Sequence, residues 1–299
     1  MTFDNAYNLF LAHAIADRAY APETLVKLKD CFRNWLAPFL KAVELQGLSF
    51  LEVTSLRTAM LQKRLSVSRQ YAVLMWLRMF LKFCRSHLQL EVLDPSAIAL
   101  PARPAPIVSF LTNSDIDRVL SAIPMNTYSG KRLRALIELL LGTGLRISEA
   151  LSLDRRHFDD RQPEIDIVGK GGVRRKVFIS ARAFRWVSLY LGHRRDHCPA
   201  LFVTTGNQPT RVARADISRF FIRLRKQAGI DKPLTPHVLR HTYCTTLLNN
   251  GVDITFIRDL AGHRDISTTA RYYLGVDDKK LRDLVDTRLN YGPPEHAAP

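Results

Sequence analysis

IDIVGKGGVRRKVFI, residues 165–179, is the stretch whose reading decides the fold. Ile165, Ile167, Val177 and Ile179 recur at every second position on either side of Gly169-Lys170-Gly171-Gly172. That is the period of two strands joined by a tight glycine turn, and it is the clearest strand signal in the chain. On both sides of it, apolar residues return at helical spacing instead. Helices are expected at about 114–123, 130–142 and 146–152 before the hairpin. After it they are expected at about 181–193, 213–228, 236–250, 254–261, 266–274 and 277–289. The second part of the chain therefore reads as helices gathered round one small sheet.

The first hundred residues read as helix throughout. Segment 3–16 has helical apolar spacing. Pro22 suits the first turn of a second helix, whose apolar positions include Leu25, Leu28, Phe32, Trp35, Leu36 and Phe39. Pro38 must end or kink that helix. Thr54 or Ser55 is the expected cap of a third, reaching about Arg64. Ser66 or Ser68 opens a fourth to about His87, with Val73, Leu74, Leu77, Phe80, Leu81 and Cys84 on its buried side. Pro95, Pro101, Pro104 and Pro106 then mark a boundary, because proline restricts itself and its predecessor to extended conformations. The expected fold class is mainly α with a small β-sheet. Its parts are a helical N-terminal domain over 1–93, a Pro-rich linker over 94–110, an α+β domain over 111–291 and a disordered tail over 292–299.

Composition narrows the function. The chain has 299 residues and 46% hydrophobic side chains, which excludes a wholly disordered protein. No apolar run reaches the roughly 18–20 residues of a membrane span. The start, MTFDNAYNLF, lacks a basic segment followed by an apolar one, so no secretory signal is expected and the location read is cytoplasmic, on the nucleoid. Cys31, Cys84, Cys198 and Cys244 are scattered and make no CxxC pair, so neither zinc nor a disulfide framework is expected. Lys and Arg number 44 against 28 Asp and Glu, a net charge of +16. Both halves share the excess, which favours a folded surface facing a polyanion over a basic tail.

Four fragments could carry chemistry. Gly142-Thr143-Gly144-Leu145-Arg146-Ile147-Ser148-Glu149 is a glycine turn entering a helix, but its spacing is neither a dinucleotide fingerprint nor a P-loop. By themselves Arg146 and Glu149 would read as a surface ion pair. Lys170 sits in the hairpin turn, ordinarily a solvated position. In Pro236-His237-Val238-Leu239-Arg240-His241, His237 and Arg240 share a helix face and could both reach a phosphate. His237 and His241 are four apart, yet Val238 stands where a zinc-protease helix needs Glu and no third ligand follows, so no metal is expected. Gly262-His263-Arg264-Asp265 turns into a segment containing Arg271-Tyr272-Tyr273.

Together, GTGLRISEAL, IVGKGGVRRKVFI, TPHVLRHTYCTTLL and AGHRDISTTARYY resemble the tyrosine recombinase, or phage integrase, family, most closely its small Xer-type members. Arg240 to His263 is 23 residues and His263 to Tyr272 is 9, close to the family pattern. The resemblance is strong over 110–290. The front domain matches the family's core-binding, SAM-like domain more loosely. Two departures stand out. Ala261 replaces the usual leucine before Gly-His, and Tyr273-Leu274 follows Tyr272 where Thr-His is commoner. Spacing from His263 selects Tyr272 over Tyr273.

The resemblance implies a site-specific DNA recombinase. Tyr272 would be the nucleophile, forming a 3′-phosphotyrosyl link. Arg146 and Arg240 would grip the non-bridging phosphate oxygens, and Lys170 would protonate the leaving 5′-oxygen. His237 would assist proton transfer from Tyr272, His263 would bond the phosphate or position the tyrosine, and Glu149 would support Arg146. No cofactor and no metal are implied. The partner would be double-stranded DNA with inverted half-sites, held by a homotetramer with or without a second recombinase, and exchanged through a Holliday junction. The task would be integration or excision of a mobile element, or resolution of DNA dimers. Lys63, Arg64, Arg69 and Arg78 are candidate DNA contacts in the front domain. Helix 277–289, with Leu281, Leu284, Val285 and Leu289 on one side, would dock on a neighbouring subunit or on its own domain. The alternatives are a type IB topoisomerase-like nicking-closing enzyme and a catalytically silent DNA-binding regulator.

Overall fold

The computed structural model describes residues 1–41, 45–102, 109–158, 164–168 and 174–262. The chain divides into two compact units, Met1–Pro106 and Ile107–Pro299.

In the first unit, helix α1 (Phe3–Ala16) starts at Thr2, whose hydroxyl accepts from the Asn5 N–H. Helix α2 (Pro22–Cys31) has its proline in the first turn. It does not break at Pro38. A π turn, Phe32–Leu36, leads into a short α3 (Ala37–Lys41). Proline has no N–H to donate and crowds the carbonyl four residues back, and the wider turn just before it accommodates both. Helix α4 (Phe50–Gln62) begins earlier than the sequence reading placed it. Its cap is Ser49, whose hydroxyl accepts from the Leu51 N–H at 3.2 Å while Glu52 accepts from the Ser49 N–H at 2.9 Å. Thr54 and Ser55 lie inside the helix and donate back to the Phe50 and Leu51 carbonyls. The Ser-x-x-Glu box outcompetes them because only a residue at the helix mouth faces unpaired N–H groups. Helix α5 (Val67–His87) starts at Ser66 and buries the six residues expected, with Trp76 and Phe83 added. Phe3, Phe10, Phe32 and Phe80 form the aromatic centre, Phe32 and Phe80 meeting edge-on at 5.5 Å. Ile98, inside the Pro-rich stretch, is fully buried in this core.

The second unit is organised on α7 (Tyr128–Thr143), most of whose residues are buried. Before it, α6 (Asn113–Ser121) is capped by Thr112 and Asp115. After it come α8 (Ile147–Ser152) and the antiparallel strands β1 (Glu164–Val168) and β2 (Arg174–Phe178), paired with Ile165 opposite Val177 and Ile167 opposite Arg175. Helix α9 (Ala181–Gly192) packs on α7, and α10 (Arg214–Gln227), α11 (Pro236–Asn249) and α12 (Ile254–Ala261) complete the described part. Two charged residues, Arg132 and Glu138, lie within α7's buried surface. Glu138 is 3% exposed and takes bidentate bonds from Arg182 and one from Arg134, which stacks over Trp186 at 4.2 Å. A carboxylate so buried is tolerated only when paired this fully. Two isolated bridges, Asp154 with Ala200 and Val203 with Arg211, lie in segments without a strand pattern.

The helices expected at 266–274 and 277–289, the hairpin turn and the tail lie outside the described residues. Among the described residues no helix is long and apolar enough to cross a membrane.

Candidate active site

Helix α7 closes on Gly144 in the left-handed conformation, φ 62°. Glycine is required twice over, since a Cβ there would fall 2.3 Å from the Tyr243 ring of α11. The chain then turns into α8 through Arg146, and the Gly144 carbonyl is left pointing at α11. There it accepts from Arg240 Nη1 at 2.6 Å. Helix α12 ends in the same way on Gly262, φ 67°. Its last carbonyls also meet arginines: Arg240 Nη2 donates to Ala261 O, and Arg146 Nη2 donates to Gly262 O at 2.9 Å. Cations suit this place, because the carbonyl end of a helix carries partial negative charge. Two guanidiniums distant in sequence are thus brought to one helix end. Arg240 is 2% exposed, whereas the Arg146 side chain is 40% exposed.

Glu149 completes the α8 corner. Its Oε2 accepts from the Arg146 N–H at 2.8 Å and its Oε1 from Arg146 Nη1 at 3.0 Å. The carboxylate of this pair is buried, Glu149 being 8% exposed, while the arginine reaches toward the surface. A second cation joins it: Arg175 of β2 donates from both terminal nitrogens, at 3.1 and 2.8 Å. Burial pushes the Glu149 carboxyl up, but the Arg175 hydrogen bonds, the Arg146 N–H and both positive charges win and hold it at about 2.

His237 enters through the helix start. Thr235 caps α11 by accepting from the Val238 N–H, Pro236 fills the first position, and His237 follows with an exposed edge. Partial desolvation of its ring, then the charges of Arg240 and Arg146, lower its pKa. His241, one turn on, is half-buried with its ring 4.1 Å from His237. Burial first, then His237, push it down to about 4.

Of the sequence-predicted residues, Arg146, Glu149, His237 and Arg240 are brought together. Lys170, His263, Tyr272 and the neighbouring Tyr273 lie outside the described residues. In the first unit Lys63 and Arg64 are exposed at the end of α4, and Arg69 is exposed in the first turn of α5. Lys63 stands 5.1 Å from the Trp35 ring centre, and Arg78 is half-buried. Among the described residues no three His, Cys, Asp or Glu side chains group as a metal site. Arg175 was missed. Its signal was present: two residues before Val177 and four before Ile179, it occupies the inward face of β2, where a charge demands a buried partner.

The fold and this corner define a tyrosine recombinase catalytic domain. The structure superposes on the Tn1549 transposon integrase solved in complex with circular intermediate DNA, with a TM-score of 0.77 at 21% identity over 95% of this chain and 98% of that one. It also superposes on a lambda integrase fragment solved as a dimer bound to a core site, with a TM-score of 0.76 at 17% identity over the whole of both chains. The phage integrase family profile matches residues 109–280, and the chain belongs to that family. Tyrosine recombinase XerD of Oceanobacillus iheyensis is 35% identical over 199 residues, 64% of this chain and 66% of the relative. Tyrosine recombinase XerC of Erythrobacter litoralis is 36% identical over 205 residues, 65% and 64% of the two. The matched part is slightly under two thirds of each relative's length.

Proposed function

We propose that this protein is a site-specific DNA recombinase working through a 3′-phosphotyrosyl intermediate. The observation that carries the reading is the meeting of Arg146 and Arg240 on the last two carbonyls of the α12 turn, with His237 three residues before Arg240. The sequence runs directly from that turn into His263 and, nine residues later, Tyr272.

The Tyr272 phenolic oxygen attacks the phosphorus of a DNA phosphodiester, and the bond to the 5′-oxygen breaks. His237 takes the phenol proton, and Lys170 gives a proton to the departing 5′-oxygen. Phenol ionises near pH 10 in water, so the cationic surroundings and a neutral imidazole are both needed at neutral pH. Arg146 and Arg240 face the extra charge of the pentavalent transition state, for which planar guanidinium forks are well shaped. His263 bonds the phosphate or orients Tyr272, and Glu149 holds Arg146. The covalent link conserves the phosphodiester energy, so rejoining to a second 5′-hydroxyl needs no nucleotide. Inverted half-sites bind two protomers, four synapse two duplexes, and strands exchange in pairs through a Holliday junction. The excess of 16 positive charges supports DNA as the partner.

The test is capture of DNA that remains attached after denaturation, with wild type and Tyr272→Phe expressed side by side in the native host, followed by sequencing. Adducts clustered at one site with wild type and absent with Tyr272→Phe are expected. Equal yield from the variant would remove Tyr272 as nucleophile and point to Tyr273.

A further inference from the structure

We infer that Arg175 is a positioning residue for Arg146, acting through both of the groups that anchor the Arg146 guanidinium. The inference rests on the recombinase reading and deepens it. Arg146 Nη1 is held by Glu149 and Arg146 Nη2 by the Gly262 carbonyl. Arg175 touches each anchor. Its two terminal nitrogens make a bidentate fork on the Glu149 carboxylate, at 3.1 and 2.8 Å. Its guanidinium also lies against Gly262, where an added Cβ would come within 2.8 Å of its Cζ and Nε. The fork fixes the plane of the carboxylate as well as its charge. Glu149 has the Arg146 N–H, Arg146 Nη1 and both Arg175 nitrogens to satisfy it, so its orientation is fully determined.

The consequence is directional. Without Arg175, Glu149 can turn about its side-chain torsions, and Gly262 loses the group packed on it. Arg146 then keeps its charge but not its aim. Misplacement of a catalytic group by about 1 Å costs on the order of 10²-fold in rate. Lysine would restore the charge only, because an ammonium cannot make the fork.

The experiment is single-turnover cleavage of a nicked duplex carrying the site that wild type captures. Arg175→Gln, Arg175→Lys, Arg146→Ala, the double variant Arg146→Ala/Arg175→Gln and the charge-balanced Glu149→Gln/Arg175→Met are compared. Melting temperature and duplex affinity are measured beside each. Arg175→Gln should cleave about 10- to 100-fold more slowly, with duplex affinity within about threefold. Arg175→Lys should regain little of the rate, and the charge-balanced pair should stay folded and cleave slowly. Arg146→Ala/Arg175→Gln should be no slower than Arg146→Ala alone, since the second change acts only through the first. Full rate in Arg175→Gln, Arg175→Lys or the charge-balanced pair overturns the inference, as do losses that multiply in the double variant. These results leave the recombinase reading standing if wild type forms its Tyr272-dependent adduct. A wild type with no such adduct overturns that reading and the inference with it.

Discussion

Arg146 and Arg240 hydrogen-bond to consecutive carbonyls: Arg146 Nη2 donates to Gly262 O at 2.9 Å, and Arg240 Nη2 donates to Ala261 O. One helix end therefore anchors both guanidiniums, and a second bond, to Glu149 for Arg146 and to the Gly144 carbonyl for Arg240, fixes each plane. Replacing either arginine by lysine keeps the charge and loses the fork. Arg146→Lys and Arg240→Lys should each lower strand cleavage by about 10²–10³, by analogy with the loss of one transition-state donor. Duplex affinity should fall far less. Cleavage and binding titrations on the captured site check this, and a parallel fall in both would assign these residues to binding alone.

Gly144 is the tightest point of the corner. Its φ is 62°, and the Tyr243 ring lies 2.3 Å from where a Cβ would stand, so Gly144→Ala meets two penalties. The left-handed backbone costs a non-glycine residue about 1–2 kcal/mol, and overpacking adds about 1–3 kcal/mol. Denaturant unfolding should show a loss in that combined range. Adding Tyr243→Leu should recover the packing part and leave the backbone part. Complete recovery would show that φ carries no cost here.

Glu149 gives the second unit a defined acid sensitivity. Its carboxyl is held at about 2 in the folded chain, against 4.5 for the free group. A depressed carboxylate stabilises the fold above the unfolded value, and that contribution fades as pH falls from 4.5 through about 2. The full contribution is on the order of 3 kcal/mol. Urea unfolding of wild type and Glu149→Gln at steps from pH 6 to pH 3 should show the gap between them closing as pH falls. A constant gap would mean that Glu149 acts through shape and not charge.

The alternation of Ile165, Ile167, Val177 and Ile179 made the hairpin readable, and the 3.6-residue spacing made the long helices readable. For the described helices of the second unit, expected and observed bounds agree to within a residue or two. Boundaries were harder where several hydroxyls competed, as at Ser49 against Thr54 and Ser55, because the decision lies in which residue faces open N–H groups. Arg146, Glu149, His237 and Arg240 were legible because their spacing follows helix geometry and the family pattern. Arg175 was not, since its partners, Glu149 and Gly262, are distant in sequence and only the folded hairpin brings them to it. The carbonyl anchors were equally hidden, as any residue offers a carbonyl and only the two left-handed glycines aim these.

Each unit has its own apolar core, so damage should stay local. Leu77 and Leu136 are both fully buried, one in each core. Truncation to alanine should cost about 2–5 kcal/mol at either position. In hydrogen exchange, Leu77→Ala should expose amides of α1 to α5 and spare α7 and α11, and Leu136→Ala should do the reverse. Equal loss across both units from either change would show one cooperative fold.

His237 offers the sharpest electrostatic test, because three separate causes push it the same way. Partial desolvation, Arg240 and Arg146 all disfavour its charged form, so its pKa lies below 6.5. A base that accepts the Tyr272 proton must be neutral, and these surroundings favour that form. The acid limb of kcat/KM, which reports the free enzyme, should therefore have its midpoint below pH 6.5. Arg146→Gln removes one of the repelling charges, so the midpoint should move up while the rate falls. Raising salt should move it the same way, though less, since the arginine charges lie too close to be screened fully. His237→Gln should abolish the limb. A midpoint above 6.5 in wild type, or one that moves down in Arg146→Gln, would take His237 out of the proton path and leave it as a phosphate ligand only.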